Sequence, residues 1–182
     1  MKILSVNIAK SRTIEWRGRL VKTGIYKYPT KTSIYLGDED VKGDSVVDRK
    51  VHGGKLQACY LLSTKCYAHF KPLYPHLDWH YGMFGENLTV ENLDDAKIHV
   101  GNIYEIGDAL VEITKPRTPC YKLGVKFENQ VILKQFIDFA QAGPYVKVLK
   151  NGHVRIGDQL ELIEAHPENP TILEVFKSKY LR

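Results

Sequence analysis

Short runs of apolar residues that nearly alternate with polar ones, interrupted at close intervals by Gly, Pro, Asp or Asn, limit what this chain can become more than any other feature. Ile3, Leu4, Val6 and Ile8 open in such a pattern, and Tyr26, Tyr28, Ile34 and Tyr35 continue with residue types that suit a pleated, half-buried surface. Residues 37–48, rich in Gly and Asp, read as loop, and residues 51–62 pass from a glycine turn into the run ACYLL of a buried strand. Helical signals are fewer. Ser63 is placed to cap a short helix through His69 or Phe70, which Pro72 ends because proline lacks the amide donor and clashes with the preceding turn. Asn129 caps a second, with Ile132, Phe136 and Ala140 along one face and Gly143 and Pro144 stopping it. Ile172, Leu173, Phe176 and Tyr180 repeat at helical spacing after Pro170, which predicts a C-terminal helix within residues 167–182.

The stretch EIGDALVEI, residues 105–113, is echoed by RIGDQLELI at 155–163. In each an apolar residue precedes Gly-Asp and alternation follows, which predicts strand, turn and strand twice. Many short strands with few helices predict a mostly β, α+β chain: a β-barrel decorated by short helices, or a sandwich. A length of 182 residues with no linker or low-complexity stretch predicts a single domain over 1–182.

Composition narrows the classes. The 43% hydrophobic and 26% charged residues are ordinary for a globular chain. The N-terminal MKILSVNIAKSRTIEW lacks the apolar core and cleavage site of a signal peptide, and no run reaches the roughly 18 apolar residues of a membrane span, so the expectation is a cytoplasmic protein with no membrane partner. Three cysteines at irregular spacing make neither a disulfide framework nor a paired zinc pattern. Lys and Arg exceed Asp and Glu by 26 to 21, a net +5 that favours anionic ligands, yet no nucleic-acid-binding module is present and no nucleic-acid partner is expected.

Reactive chemistry points to Cys120 in KPRTPCYKL. Pro116 and Pro119 stiffen the turn, while Lys115, Arg117 and Lys122 bring positive charge that favours thiolate, the nucleophilic and metal-binding form. Cys59, in an apolar run, and Cys66, on the short helix, lack such surroundings and read as core or neutral surface residues. His52 with Gly53 and Gly54 allows backbone amides to approach an anion closely, although the same residues also make an ordinary turn. In YGMFGENL, Gly82 and Gly85 shape a loop that presents Glu86 and Asn87. The remaining histidines are scattered without metal-ligand spacing, and no nucleophile elbow occurs.

Taken in order, VHGG near 52, FGENL near 86, PRTPCYKL near 120 and the following GPYVKVLKNGHVRIGDQLEL resemble the MOSC domain family, in its bacterial YiiM-like branch, over most of the chain. The resemblance implies a β-barrel-like fold and a molybdenum cofactor (molybdopterin), with Cys120 as molybdenum ligand and catalytic thiol, or as a sulfur-carrying thiol. It suggests His52, Gly53, Gly54, Lys55, Asn87, Arg117, Thr118 and Lys122 as a shell for the pterin and its phosphate. Leu56 and Gln57 depart from the pattern, since members commonly carry an acidic and a basic residue after HGG.

The implied activity is reduction of N-hydroxylated bases or related small molecules, independent of pyridoxal phosphate. Electrons come from a separate reductase, because the chain has neither a dinucleotide fingerprint nor an iron-sulfur cysteine cluster. Two alternatives stay open: a sulfur or cofactor carrier with a persulfide on Cys120, and a non-catalytic module that binds phosphorylated ligands.

Overall fold

Burial of Ile3, Ser5, Val6 and Asn7 in strand β1 (Ile3–Ile8) marks it as interior to a sheet. The computed structural model describes residues 1–47 and 53–180. After β1 come β2 (Arg12–Trp16), β3 (Arg19–Thr23), β4 (Tyr28–Pro29), β5 (Ile34–Leu36) and β6 (Cys59–Ser63), the last entered through a 3-10 turn over Lys55–Gln57. Helix α1 (Thr64–Phe70) leads to β7 (Leu88–Val90), β8 (Ile103–Ile106) and β9 (Ala109–Pro116). Helices α2 (Tyr121–Lys126) and α3 (Val131–Phe139) precede β10 (Pro144–Lys150), β11 (Gly152–Val154), β12 (Leu160–Glu164) and α4 (Ile172–Tyr180). No helix among the described residues is long and apolar enough to cross a membrane.

Eight strands form one sheet in the order β12-β8-β9-β10-β6-β7-β1-β4, and β11 with β5 and β2 with β3 make two small ribbons. Neighbours in the large sheet are antiparallel except β6 and β7. A parallel pair needs a crossover, and α1 is part of it. The crossover brings the starts of β6 and β7 side by side, with the Asn87 amide donating to the Tyr60 carbonyl at 2.9 Å.

The mostly β, α+β expectation holds, but the strand ladders leave the sheet open, so the closed barrel does not follow from them. The segment leading into β12 reaches β1 through an isolated Lys2–Gln159 bridge and bonds such as Ile3 N to Asp158 O at 2.9 Å, not through a continuous ladder. One apolar cluster, with Ile3, Leu61, Leu88, Val111 and Val146, lies along the sheet, and a second gathers Phe70, Phe84, Phe127 and Phe136 beneath the helices.

Local signals were followed closely where they concerned caps. The Ser63 hydroxyl accepts from Lys65 N at 3.2 Å to start α1. Asn129 Oδ1 accepts from Val131 N at 2.9 Å, although Gln130 holds the N-cap position, and α3 stops at Ala140, whose φ of 56° is left-handed. The C-terminal helix occupies Ile172–Tyr180, inside the expected 167–182. Only the first Gly-Asp echo is a hairpin, β8 to β9; in the second, β11 pairs with β5 and β12 with β8. The two turns instead pack together, with Asp108 N bonded to His153 O at 3.0 Å and no room for a Cβ at Gly107 beside Asp158.

Two buried carboxylates fasten the sheet to its loops. Asp44 is ion-paired with Lys27, and both side chains are shielded. Its Oδ2 also accepts from Asn87 Nδ2 at 2.9 Å and its Oδ1 from Ala9 N at 2.8 Å. Burial lowers the Lys27 pKa and Asp44 opposes that shift. Removing the carboxylate would strand a buried ammonium, which typically costs about 3–5 kcal/mol. Asp44→Ala is therefore expected to lower stability by about that much in urea unfolding, and Lys27→Met combined with Asp44→Asn to recover a large part of it.

Asp95 accepts from Gly143 N at 2.9 Å through Oδ2, and its carbonyl accepts from Leu173 N at 3.0 Å at the start of α4. Its Oδ1 has no partner among the described residues, and burial raises its pKa from 3.8 to about 6. Between those values the native state holds a proton that the unfolded state releases, so this group's contribution falls as pH rises through the window and is level above it. Asp95→Asn should remove that slope and stabilise the protein by about 2 kcal/mol at pH 7, read as the difference between wild-type and variant unfolding from pH 4 to 7.

Candidate functional site

Pro116 ends β9 opposite Pro144 of β10, and the chain then turns through residues 117–120 into α2. The turn is held from its backbone, since Arg117 N donates to Gly143 O at 3.0 Å. Gly143 is needed there: its φ of +71° favours glycine, and a Cβ would collide with the Leu61 carbonyl. Cys120 takes the N-cap position of α2 with an extended backbone, its carbonyl accepting from Leu123 N at 2.9 Å. Its thiol is free and half-buried, whereas Cys59 and Cys66 are buried and burial drives both of their pKa values up. The two interior cysteines are thus kept as neutral thiols, in line with a core role.

Arg117 points the other way, into the protein. It is 6% exposed, donates through Nη1 to Phe84 O and lies over the Tyr60 ring at 4.8 Å. It interacts electrostatically with Cys120, as does Tyr145. No carboxylate among the described residues forms an ion pair with Arg117. Since a guanidinium is always charged and its burial without a counter-charge is costly, this group is a ready partner for an anion.

Two cavities meet at this point. An inner one of about 90 Å³ is bordered by Lys27, Asp44, Tyr60, Asn87, Arg117 and Cys120. An outer cleft of about 590 Å³ lies between the 115–122 segment and α4. Gln57, Cys120, Lys122 and Tyr145 border both, so the one half-exposed thiol among the described residues sits where they join. The β2–β3 hairpin roofs the start of α2: Trp16 stacks on Tyr121 at 5.1 Å, and Lys122 Nζ donates to Lys22 O at 3.4 Å.

Of the residues singled out in the sequence, Asn87, Arg117, Cys120 and Lys122 converge on the inner cavity, and Thr118 borders the outer cleft. Gly53, Gly54 and Lys55 border neither cavity; Gln57 and Ala58 from the following residues do so in their place. His52 lies outside the described residues. Glu86 is not presented by its loop at all. It is fully buried, with Oε1 accepting from Tyr67 OH, from Gly82 N at 2.8 Å and from Thr89 Oγ1 at 2.8 Å, and Oε2 from Phe84 N at 3.2 Å. All of its capacity goes into shaping the loop.

Lys27, Asp44, Tyr60 and Tyr145 carry no local sequence signal as site residues, because segments far apart in the chain bring them together. Lys126 is a further buried cation, donating to Gly82 O at 2.9 Å and Ile25 O at 3.3 Å. Burial brings its pKa down to about 7 against the pull of Glu86. Among the described residues no group of three or more His, Cys, Asp or Glu side chains is arranged to hold a metal ion, so a metal at this site depends on the single thiol and on a non-protein ligand.

The MOSC domain model matches residues 48–161, more than half of the chain. The uncharacterised protein YflK of Bacillus subtilis is 32% identical over 88% of this chain and 72% of its own length. A Gibberella moniliformis protein named "Reductase" is 32% identical over 87% of this chain, which spans only 28% of it. The crystal structure of YiiM from Geobacillus stearothermophilus superposes with a TM-score of 0.80 at 28% identity, covering 98% of this chain and 83% of that one. With its open mixed sheet, its cysteine turn and these likenesses together, the chain belongs to the MOSC domain family.

Proposed function

We propose that this protein is an oxidoreductase that holds a molybdenum cofactor through Cys120 and reduces N-hydroxylated bases. The observation that carries the reading is the half-buried Cys120 thiol at the meeting of two cavities, beside a buried guanidinium with no carboxylate partner among the described residues. Relatives in the family and a homologue named reductase support the class of activity.

The donor set fits the group. A thiolate is a soft ligand of the kind such a metal takes, and Arg117 and Lys122 supply the cations that a pterin phosphate requires. When bound, the cofactor would accept the substrate's oxygen atom and give two electrons to the substrate. The chain's own residues bind and orient: Cys120 anchors, Arg117 and Lys122 neutralise the anion, and Tyr60, beneath Arg117, and Tyr145 line the inner cavity beside them. The net reaction is R–NHOH + 2 e⁻ + 2 H⁺ → R–NH₂ + H₂O, with the electrons from a separate reductase. The free cysteines fit a reducing, cytoplasmic setting.

Molybdenum and pterin content of wild type and Cys120→Ala, expressed in cells that make the cofactor, tests the reading. Wild type is expected to hold both and the variant to lose the metal, with reductant-dependent turnover of an N-hydroxylated purine falling by about 100-fold or more. If neither protein holds cofactor when it is supplied, the reading fails. A labile sulfane sulfur on Cys120 would then identify a sulfur carrier.

A further inference from the structure

The net charge of the chain is concentrated in one hairpin. Residues 10–23, which lead into and form β2, β3 and their turn, hold Lys10, Arg12, Arg17, Arg19 and Lys22 against the single acid Glu15, a net +4 in a chain whose total is +5. All five basic residues are exposed, and none forms an ion pair among the described residues. Like charges crowded on a short ribbon repel one another, and an acidic partner relieves that repulsion.

None of the five borders either cavity, so their charge is available to a partner outside. The hairpin nonetheless belongs to the site. Trp16 stacks on Tyr121, the residue after Cys120, Thr23 and Gly24 at the end of the ribbon line the inner cavity, and the Lys22 carbonyl receives Lys122. A body seated on the hairpin therefore comes up against the turn that carries the thiol.

Two features favour a protein over a nucleic acid as that body. The one aromatic ring of the ribbon, Trp16, is engaged by Tyr121 and by the Arg17 guanidinium 5.2 Å from its centre, and so is not presented for a base to stack on. Leu20, 79% exposed, sets an apolar side chain among the cations, with Lys22 on the same face of β3. An apolar centre with a charged rim is the usual anatomy of a protein interface. Encounters that pass electrons between proteins bury little area and are steered by charge, which a surface of this size provides.

We propose that the β2–β3 hairpin is the docking surface for the electron donor, an acidic protein that carries a flavin or an iron-sulfur cluster. The donor is oxidised by two electrons per turnover, the two that R–NHOH takes up with two protons to give R–NH₂ and water. This rests on the reductase reading for the donor's role but not for the binding of an acidic protein, and the two can fail separately.

Binding of flavodoxin, an acidic flavin protein, and of a short DNA duplex would be measured by surface plasmon resonance on the cofactor-loaded protein, in wild type and in Arg19→Glu/Lys22→Glu. Both side chains are exposed and border neither cavity, so the variant is expected to fold and to keep its molybdenum, which circular dichroism and metal analysis check. Flavodoxin is expected to bind wild type, to bind the variant about tenfold or more weakly, and to lose affinity as salt rises. The variant's kcat/KM for reduced flavodoxin falls by a similar factor, while turnover driven by reduced methyl viologen, a small cation that needs no basic surface, is unchanged. No binding of flavodoxin to wild type, or equal binding to the two proteins, would overturn the proposal. So would duplex binding that is tighter than flavodoxin binding and lost in the variant, which makes the hairpin a nucleic-acid surface. An equal fall in viologen-driven turnover also overturns it, because the two residues then serve the site itself. Charge-dependent flavodoxin binding with no turnover from either donor sinks the reductase reading and leaves the docking surface standing.

Discussion

Two consecutive buried polar side chains, Glu86 and Asn87, tie the architecture together. A carboxylate with no solvent contact must find donors or lose its charge, and Glu86 finds them in Tyr67, Gly82, Phe84 and Thr89. That set bends residues 82–89 into one loop and fastens it to α1. Asn87 then reaches across to Asn7 O, Asp44 and Tyr60 N, so β1, the loop that carries Asp44 and β6 are held at one point. The parallel pairing of β6 with β7 depends on this junction, because nothing local aligns two strands separated by a helical crossover.

The cleft at Cys120 grows out of that junction. Phe84, positioned by Glu86, offers its carbonyl to Arg117, and Gly143 holds the Arg117 backbone from the other side. Gly143 is in turn held by Asp95, whose carbonyl receives the first turn of α4. A chain of backbone and carboxylate contacts therefore runs from the helix that walls the outer cleft to the turn that carries the thiol. The cations of the site differ in their surroundings accordingly. Lys27 is paired and structural, Arg117 is buried with no carboxylate beside it, and the lysines of the outer cleft face solvent.

Much of this was legible from residues close together in the chain. Ser63 announced the cap of α1, the run ACYLL announced β6, and the spacing of Ile172, Phe176 and Tyr180 announced α4. Cys120 stood out by its prolines and basic neighbours, and Arg117, Asn87 and Lys122 followed it into the inner cavity. The β2–β3 hairpin has no clear alternation to mark it, although Arg17 and Gly18, both with positive φ, make its tight turn. Glu86 is not presented to a ligand as its sequence suggests, because a glycine-flanked carboxylate looks the same in sequence whether its donors are a substrate or its own loop. The second Gly-Asp stretch looked like a hairpin because alternation specifies a strand and not its partner.

By itself the sequence determined where most strands lie, where three of the helices begin (though not α2 after Cys120), and which cysteine stands among cations; these are properties of neighbours within a few residues, where propensity, capping and charge act. The tertiary structure alone decided that β6 and β7 run parallel, that the sheet stays open along its ladders, and that Lys27, Asp44, Tyr60 and Tyr145 meet around the thiol. Those outcomes depend on burying charge and backbone polar groups among segments tens of residues apart. Whether a given Lys or Asp is solvated or enclosed is set by what packs over it, and that has no local signature.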